Sequence, residues 1–426
     1  MKLNYKRTIL VGFAFFLISA FWQAYDTIVP LILTNKFGME QGYSGMIMSL
    51  DNIFAVVLLP VFGTLSDKTR TRFGKRTPYI FLGTIFAAAF FVILGYSGSL
   101  VWFVILLLAC LLSMATFRSP AVALMPDVTV KPLRSKGNAI INLMGTAGGM
   151  IVLGLGIVFK TNQAGKTDFS VYLISVSAVM ITALVVFLLT VKEPLWASEA
   201  EAENEKLDSK KEQEEQKAVA VRKLTRSELT SLVLILASVA LWYIGYNAVT
   251  SKYSVYATEV LKVPYTVTLL VAQGAAIISY IPVGMIASKI GRKKTILAGV
   301  TMLTVAFAAA SFIKEGTPAI VMYLLFCLAG IGWATINVNS FPMVVELAKG
   351  GDVGKYTGFY YTASMAAQIV TPIFSGFLVQ ILGWWIFFPY AALFAGCAFV
   401  TMFFVKHGDA KPEAQGTLEA LAGADD

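Results

Sequence analysis

Long apolar runs, separated by short polar segments, make up most of the chain. The runs long enough to cross a membrane lie at roughly residues 9–33, 43–66, 78–97, 100–125, 138–160, 170–191, 229–257, 266–288, 294–312, 318–346, 356–381 and 384–405. Each holds about 18–28 residues, and about 20 apolar residues in a helix cross the hydrocarbon core of a bilayer. The pattern predicts an all-α membrane protein with 12 transmembrane helices.

A charged segment divides these runs into two sets of six. Residues 192–228 hold ten acidic and eight basic residues in 37 positions, a composition that favours a solvated linker over a packed domain. We therefore expect an N-terminal six-helix bundle (1–191), the linker (192–228), a C-terminal six-helix bundle (229–405) and a tail (406–426). We assign no chemistry to the linker.

The composition agrees with a membrane protein and argues against several other classes. Hydrophobic residues make up 57% of the 426 positions and charged residues 14%, whereas soluble proteins have about 25% charged residues. A membrane β-barrel is excluded because its strands alternate apolar and polar residues over about 10 positions. The sequence has no metal-ligand spacing, Walker motif or nucleophile–base set, so we expect no metal, no cofactor and no enzyme activity.

Lysine and arginine are distributed unevenly between the segments that join the runs. With the N-terminus placed inside, 27 of the 34 lie on the inner side and five on the outer side. Cytoplasmic loops carry the excess of lysine and arginine in helical membrane proteins. We therefore expect both termini in the cytoplasm. We also expect a monomeric, multi-pass protein of the plasma (cytoplasmic) membrane, in contact with lipid. The net charge of +9 then follows from topology and does not indicate nucleic-acid binding.

The two halves of the chain repeat each other at offsets of 221 or 219 residues. The features that align are Phe21-Trp22-x-x-Tyr25-Asp26 with Trp242-Tyr243-x-x-Tyr246-Asn247, Gly63 with Gly284, Arg118 with Asn337, and Asp127 with Glu346. Duplication of a six-helix unit in one orientation is common in transporters. The expected architecture is two pseudo-symmetric six-helix bundles with a substrate path between them.

The segment Gly63–Pro78 joins the second and third runs and carries five basic residues and one Asp. Such a segment cannot lie in hydrocarbon, so it marks a turn at the membrane surface. A shorter version recurs at Gly284–Lys294. Both resemble the signature G-x-L-a-D-r-x-G-r-r of the major facilitator superfamily. The matching residues are Gly63, Leu65, Asp67, Lys68, Gly74, Lys75 and Arg76.

The spacing within Gly63–Pro78 is similar to that of one branch of this superfamily. Six residues separate Asp67 from Gly74, where the general signature has two. This spacing resembles the glycoside–pentoside–hexuronide cation symporters and the related bacterial sucrose/proton symporters. Two positions depart from the family pattern: Ser288 replaces Asp in the second copy, and Val122 stands where the plant sucrose carriers have Arg. The resemblance implies the major facilitator fold and cation-coupled sugar transport.

Two acidic residues, Asp26 and Asp51, lie within the first two runs. At a rise of 1.5 Å per residue, each lies about 6–8 Å from the run's centre toward the exterior, so adjacent helices can place both at one depth. An acid inside the membrane costs about 2.5–3.5 kcal/mol on insertion scales and is expected to face a cavity or a partner. We interpret both as cation-coupling residues, with the proton favoured over sodium. The alternative is a structural role in hydrogen bonds between helices.

Sugar binding requires amide and hydroxyl groups for hydrogen bonds and aromatic rings for the C–H face of the sugar. The candidate substrate-binding residues inside the runs are Trp22, Tyr25, Asn52, Arg118, Asn142, Tyr246, Asn247, Gln273, Asn337, Asn339, Tyr361 and Gln368. Packing between helices is the alternative for the amides and the aromatic rings. Arg118 is equally suited to pairing with an Asp at a gate. We expect Lys252 to lie near the outer end of its helix and to extend its amine to water.

Charged residues also cluster at the predicted inner ends of the helices. Ion pairs there can form when the inner side of a transporter closes and break when it opens. The candidate residues of this cytoplasmic gate are Gly63, Asp67, Gly74, Lys75, Arg76, Asp127, Arg134, Lys136, Glu346 and Lys355. Anchoring at the membrane surface is the alternative.

The sequence as a whole favours a secondary transporter that takes up a sugar or glycoside, such as a disaccharide, by proton-coupled symport. Alternating access of the two bundles is the expected mechanism. A proton-coupled antiporter that exports a drug or another small solute is the alternative with the same fold. A non-transporting membrane sensor is the alternative of another class.

Overall fold

The computed structural model describes residues 3–212, 225–347 and 353–409, and every regular element within those ranges is a helix. In chain order the α-helices are α1 (Tyr5–Leu31), α2 (Gln41–Lys68), α3 (Thr77–Gly95), α4 (Leu100–Asp127), α5 (Arg134–Val158), α6 (Ser170–Thr190), α7 (Glu193–Glu212), α8 (Arg226–Thr250), α9 (Tyr253–Val255), α10 (Tyr265–Ile290), α11 (Arg292–Ala310), α12 (Ala319–Glu346), α13 (Val353–Leu382) and α14 (Phe387–Phe403). Two π-helical segments, Ile32–Lys36 and Tyr256–Leu261, continue α1 and α9.

Twelve helical stretches in the described residues are long and apolar enough to cross a membrane. They are Tyr5–Lys36, Gln41–Lys68, Thr77–Gly95, Leu100–Asp127, Lys136–Val158, Ser170–Thr190, Arg226–Leu261, Tyr265–Ile290, Arg292–Ala310, Ala319–Glu346, Gly354–Leu382 and Trp384–Phe403. The predicted count of 12 transmembrane helices is thereby confirmed. α7 is an additional helix within the predicted linker; linker positions 213–224 and tail positions 410–426 lie outside the described residues.

The start of α8 illustrates how the sequence sets a helix boundary. Thr225 Oγ1 accepts a hydrogen bond from the backbone N–H of Glu228 (3.3 Å), and the Glu228 carboxylate accepts one from the backbone N–H of Thr225 (2.8 Å). This reciprocal cap satisfies N–H groups that have no partner inside the helix. The seventh membrane-spanning helix therefore begins at Arg226, three residues before the predicted start at 229.

The described residues divide into two compact units. Unit 1 comprises residues 3–25, 53–159 and 168–212, and unit 2 comprises residues 26–52, 160–167, 225–347 and 353–409. The division falls inside α1 and α2. The end of α1 and the start of α2 pack with the C-terminal helices, although the sequence repeat assigns them to the N-terminal half.

Two pairs of helices, one helix from each half of the chain, contain an internal proline at similar positions. Pro60 of α2 and Pro282 of α10 are 222 residues apart, as are Pro120 of α4 and Pro342 of α12. Proline inside a helix removes a backbone hydrogen bond and bends the helix. The α2–α10 pair lies one residue from the predicted offset of 221, and the α4–α12 pair lies three residues from the predicted offset of 219.

Candidate functional site

A buried arginine, Arg76, lies at the end of the segment that joins α2 to α3. Its Nε donates to Asp127 Oδ2 of α4 (2.7 Å), and its Nη atoms bind Asp67 and Ser66 of α2. Lys75 Nζ also pairs with Asp127 (3.2 Å). Burial opposes the charge of Arg76, but hydrogen bonds and charge interactions with Asp127 and Asp67 outweigh it and raise the pKa of Arg76 above its usual value. These bonds fasten α2, α3 and α4 to one another within unit 1.

A buried carboxylate, Glu193 at the start of α7, completes this charge cluster. It accepts hydrogen bonds from the backbone N–H groups of Lys75 (2.7 Å), Arg76 (2.8 Å) and Thr77 (2.8 Å), and from the Thr77 hydroxyl (2.7 Å). Gly74 has φ +111°, and a Cβ there would overlap the Glu193 carboxyl group, so only glycine fits. Glu193 has no predicted role because it lies in the charged linker. Its position directly after the sixth run was the only signal.

Unit 2 contains a corresponding but smaller cluster where α10 meets α11. Arg292 Nη1 pairs with Glu346 Oε2 of α12 (2.6 Å). Asp409 Oδ1 accepts a hydrogen bond from the backbone N–H of Lys293 (2.7 Å), much as Glu193 does in unit 1. Gly291 at this turn has φ +94°, which favours glycine. The second charged segment thus repeats the backbone-binding acid as well as the ion pair.

Six of the ten predicted gate residues come together in the cluster of unit 1. They are Gly63, Asp67, Gly74, Lys75, Arg76 and Asp127. Arg134 instead donates from Nε to the carbonyl of Thr129 (3.3 Å), and the Lys355 amine lies over the Phe359 ring (5.9 Å). Lys136 lies at the start of α5. Glu346 binds Arg292, which was not among the predicted gate residues.

An aromatic and cationic cluster lies on α1 and α4 of unit 1. The Arg118 guanidinium lies over the Trp22 ring at 5.2 Å, and the Trp22 and Tyr25 rings meet edge to face at 5.3 Å. Trp22 Nε1 is buried without a hydrogen-bond partner among the described residues. Both side-chain polar atoms of Asn142 on α5 are in the same condition. Unit 1 therefore holds a flat ring, a cation and uncommitted polar groups.

A second aromatic cluster lies on α8 and α12 of unit 2. The Tyr246 and Trp333 rings stack at 3.6 Å with a 6° angle, and Tyr243 meets Trp333 edge to face at 5.3 Å. Asn247 Nδ2 donates to the Tyr243 carbonyl (2.9 Å). Trp333 is not among the predicted substrate residues; its only sequence signal is its place one turn before Asn337.

The other candidate substrate residues of unit 2 are Asn52, Gln273, Asn337, Asn339, Tyr361 and Gln368. Asn337 is 5% exposed, and its Oδ1 has no hydrogen-bond partner among the described residues. Residues four apart share a face of a helix, so α12 presents Asn337 beside Trp333. Asn339 is 2% exposed and donates to the Thr335 carbonyl of its own helix (3.0 Å), a packing arrangement.

The two membrane acids, Asp26 and Asp51, both belong to unit 2 and have different surroundings. Asp26 interacts electrostatically with Tyr246 of the second aromatic cluster. Asp51 Oδ1 accepts hydrogen bonds from the backbone N–H (2.6 Å) and side-chain amide (2.7 Å) of Asn52. Tyr246, a candidate substrate residue, therefore lies within electrostatic range of Asp26.

Within unit 2, a network of contacts joins three segments of the N-terminal half to the C-terminal helices. These segments are the π-helical end of α1, the start of α2 and the connection between α5 and α6. We call this network the seal. Its hydrogen bonds are Asn35 Nδ2 to Glu259 (2.8 Å), Gly165 N to Glu259 (3.0 Å), Gly42 N to Gln380 (3.0 Å), Asn162 Nδ2 to Thr266 (3.0 Å) and Thr161 with Tyr265 (2.7 Å). A Cβ on Gly45 would overlap the Pro372 carbonyl of α13. Backbones therefore touch directly here.

Lys252 lies inside the seal, at the break between α8 and α9. It is 1% exposed, and its Nζ donates to the backbone carbonyl of Gln41, the first residue of α2 (2.8 Å). The expectation that its amine reaches water is therefore wrong. The reason is tertiary: the start of α2 covers the end of α8, a contact that the local hydrophobic pattern does not reveal.

The described residues contain no group of three histidine, cysteine or acidic side chains able to hold a metal ion. Unit 1 by itself offers aromatic rings, an amide and the Arg118 cation, and unit 2 by itself offers aromatic rings, amides and the Asp26 carboxylate. Such groups suit recognition of a polyhydroxylated molecule, because they supply apolar faces and directional hydrogen bonds together.

Comparisons with known proteins agree with this architecture. The sequence model of a family described as MFS/sugar transport protein matches residues 10–383. An uncharacterized MFS-type transporter of Methanocaldococcus jannaschii is 24% identical over 381 residues, covering 88% of this chain and 89% of the relative. YagG of Escherichia coli K12, named as a candidate glycoside/cation symporter, is 33% identical over 64 residues, covering 15% of this chain and 14% of YagG.

A solved structure gives the same fold. The xylose transporter XylE of Escherichia coli, in an inward-open conformation, superposes with a TM-score of 0.67 at 12% identity. The superposition covers 98% of this chain and 99% of XylE. At that identity the likeness concerns the fold alone, and it confirms the predicted major facilitator architecture.

Proposed function

Because this chain belongs to the family of MFS/sugar transport proteins, we propose that it is a secondary transporter that takes up a sugar or glycoside together with a cation. The proton is the proposed cation. Alternating access is the proposed mechanism, in which the substrate groups are open first to one side of the membrane and then to the other. The inner side is taken to be the one rich in lysine and arginine.

The observation that carries the sugar assignment is the combination of aromatic faces with buried, uncommitted polar atoms. In unit 2 the Tyr246–Trp333 stack lies beside Asn337, whose Oδ1 has no partner among the described residues. In unit 1 Trp22 lies against Arg118. A polar atom buried without a partner is costly, and sugar hydroxyl groups would supply the missing hydrogen bonds. The name of YagG supports a glycoside as the substrate class.

The coupling assignment rests on Asp26. Its charge acts on Tyr246, whose ring forms the aromatic stack of unit 2. Loss or gain of a proton at Asp26 would therefore change the electrostatic environment of Tyr246, which we propose contacts the substrate. Asp51 is the second coupling candidate, but Asn52 already stabilises its charge with two hydrogen bonds.

We propose different roles for two kinds of contact: one kind holds helix ends together, and the other opens and closes. The Arg76 and Arg292 clusters each lie within one unit and fasten helix ends there. The seal consists of glycine contacts and single hydrogen bonds, which can separate and re-form. We assign the seal to the exterior and its release to the opening of the exterior side.

Uptake by right-side-out vesicles tests the proposal. A panel of radiolabelled glycosides and free sugars is offered under an imposed proton gradient, an imposed sodium gradient, or neither. We expect accumulation of at least one glycoside with the proton gradient and its collapse when a protonophore is added. The matched control is the same vesicle preparation carrying an Asp26→Asn, Asp51→Asn double variant.

The outcomes separate the alternatives. Accumulation driven by sodium would keep the sugar assignment and replace the coupling ion. Failure to accumulate any member of the panel under either gradient would overturn the proposal. Proton-driven export of a lipophilic dye from inverted vesicles would favour the antiporter in its place.

A further inference from the structure

Lys252 is a buried lysine that the transport mechanism above does not use. Its side chain is 1% exposed, and among the described residues its Nζ has a single hydrogen bond, to the Gln41 carbonyl at 2.8 Å. An ammonium group has three N–H donors. No carboxylate of the described residues lies within ion-pair distance of it. By contrast Lys262, ten residues later, is 43% exposed and lies 3.9 Å from Glu259.

The surroundings of Lys252 make its charge unfavourable while the seal is closed. Gln41 is the first residue of α2, so the ammonium lies at the positive end of that helix dipole. One carbonyl returns only part of the hydration that a buried cation loses. Closing the seal also costs free energy if the Lys252 amine loses its proton. The neutral amine must then be formed from the ammonium form that is favoured in water.

Neighbouring polar atoms do not compensate for this cost. Gln41 Oε1, Ser254 Oγ and Ser375 Oγ are buried without hydrogen-bond partners among the described residues. Ser375 adjoins Gly376, where a Cβ would lie 3.1 Å from Lys252 Cε. The closed seal is therefore stabilised by tight backbone packing. It is destabilised by the buried polar groups around Lys252, which lack hydrogen-bond partners among the described residues.

We infer that Lys252 drives the exterior seal open: burial of its amine raises the free energy of the closed arrangement, and separation of α2 from α9 and α13 returns the amine to water. This inference rests on the proposed alternating-access function. Burial of Lys252 against Gln41 then destabilises the closed seal, and the close packing at the glycines stabilises it. The difference between these two free energies determines how often the exterior side opens.

Thiol labelling tests the inference without any substrate. In a protein whose three native cysteines are changed to serine, Ser375→Cys reports water access to the seal, since Ser375 is 3% exposed in the closed arrangement. A membrane-impermeant maleimide is added outside right-side-out vesicles. With Lys252→Met we expect labelling to slow by about fivefold or more, the lower end of typical conformational coupling.

Matched variants make the result specific. Lys314→Met removes an exposed lysine that is not part of the seal and should leave the labelling rate unchanged, and Lys252→Arg keeps the charge and should keep labelling fast. Elution as a single monodisperse peak establishes that each variant is folded. Unchanged or faster labelling of Lys252→Met would overturn the inference. Faster labelling would mean that Lys252 holds the seal closed, because the seal then opens more often once the lysine is removed.

Two further outcomes distinguish this inference from the proposed function. If no sugar accumulates but Lys252→Met still slows labelling, Lys252 drives a real opening and only the substrate assignment fails. If Ser375→Cys is never labelled in the Lys252 protein, the seal does not open and the inference fails, whatever the uptake assay gives.

Discussion

At the scale of single residues, Asp26 is the side chain on which the coupling proposal depends. Asp26→Asn keeps the size of the side chain and, like the protonated acid, has both a donor and an acceptor, but it cannot carry a charge. We therefore expect sugar to equilibrate across the membrane without accumulating, while exchange of labelled for unlabelled sugar continues. Steady-state accumulation and counterflow measure the two properties.

The control for this prediction is Asp51→Asn, whose carboxylate already holds two hydrogen bonds from Asn52. We expect Asp51→Asn to retain part of the accumulation. If both single variants accumulate sugar as the parent does, neither acid couples transport to the cation.

Glu193 leads to a prediction about stability. Its carboxylate accepts four hydrogen bonds from three consecutive residues, and it is 1% exposed. Glu193→Gln places an NH₂ group against N–H donors, so we expect a loss of about 1–3 kcal/mol. Thermal unfolding in detergent measures it. Glu199→Gln, on an exposed residue of the same helix paired with Arg7, should cost less than about 1 kcal/mol, and equal shifts would contradict the special role of Glu193.

At the scale of helices, the crossing of α2 and α13 carries a prediction opposite in sign to that for Lys252. A Cβ on Gly45 would overlap the Pro372 carbonyl, and one on Gly376 would overlap the Gln41 carbonyl. Gly45→Ala should therefore hold the two helices apart and increase maleimide labelling of Ser375→Cys by about fivefold or more. Gly154→Ala on α5 meets open space and should leave labelling unchanged. Slower labelling in Gly45→Ala would show that this crossing does not close the seal.

The helices themselves were predictable because length and hydrophobicity are properties of the local sequence. The run expected at 229–257 appears as Arg226–Leu261, and that expected at 78–97 as Thr77–Gly95. What the sequence did not reveal are partners distant along the chain. Glu193 reaches back 116 residues to Thr77, and Trp333 joins a stack on another helix. Hydrophobic periodicity contains no information about such pairs.

At the scale of the whole molecule, sequence halves and packing units differ for a physical reason. The repeat assigns residues 26–52 to the first half, yet they belong to unit 2 because the seal binds them to the C-terminal helices. The repeat reflects duplication of the sequence, whereas the division into units reflects the contacts present in this structure. Residues 26–52 are therefore grouped with unit 2, although we propose that they separate from its helices when the seal opens.

The orientation of the whole molecule decides which solution the seal faces, and it has its own test. Phe73, in the segment between α2 and α3, and Glu315, between α11 and α12, are both exposed. The distribution of lysine and arginine predicts Phe73 inside and Glu315 outside. In the cysteine-free background, an impermeant maleimide on intact cells should label Glu315→Cys, and Phe73→Cys should be labelled only after permeabilisation. The reverse pattern would place the seal and Lys252 at the cytoplasmic face, and the same burial cost would then drive opening toward the cell interior.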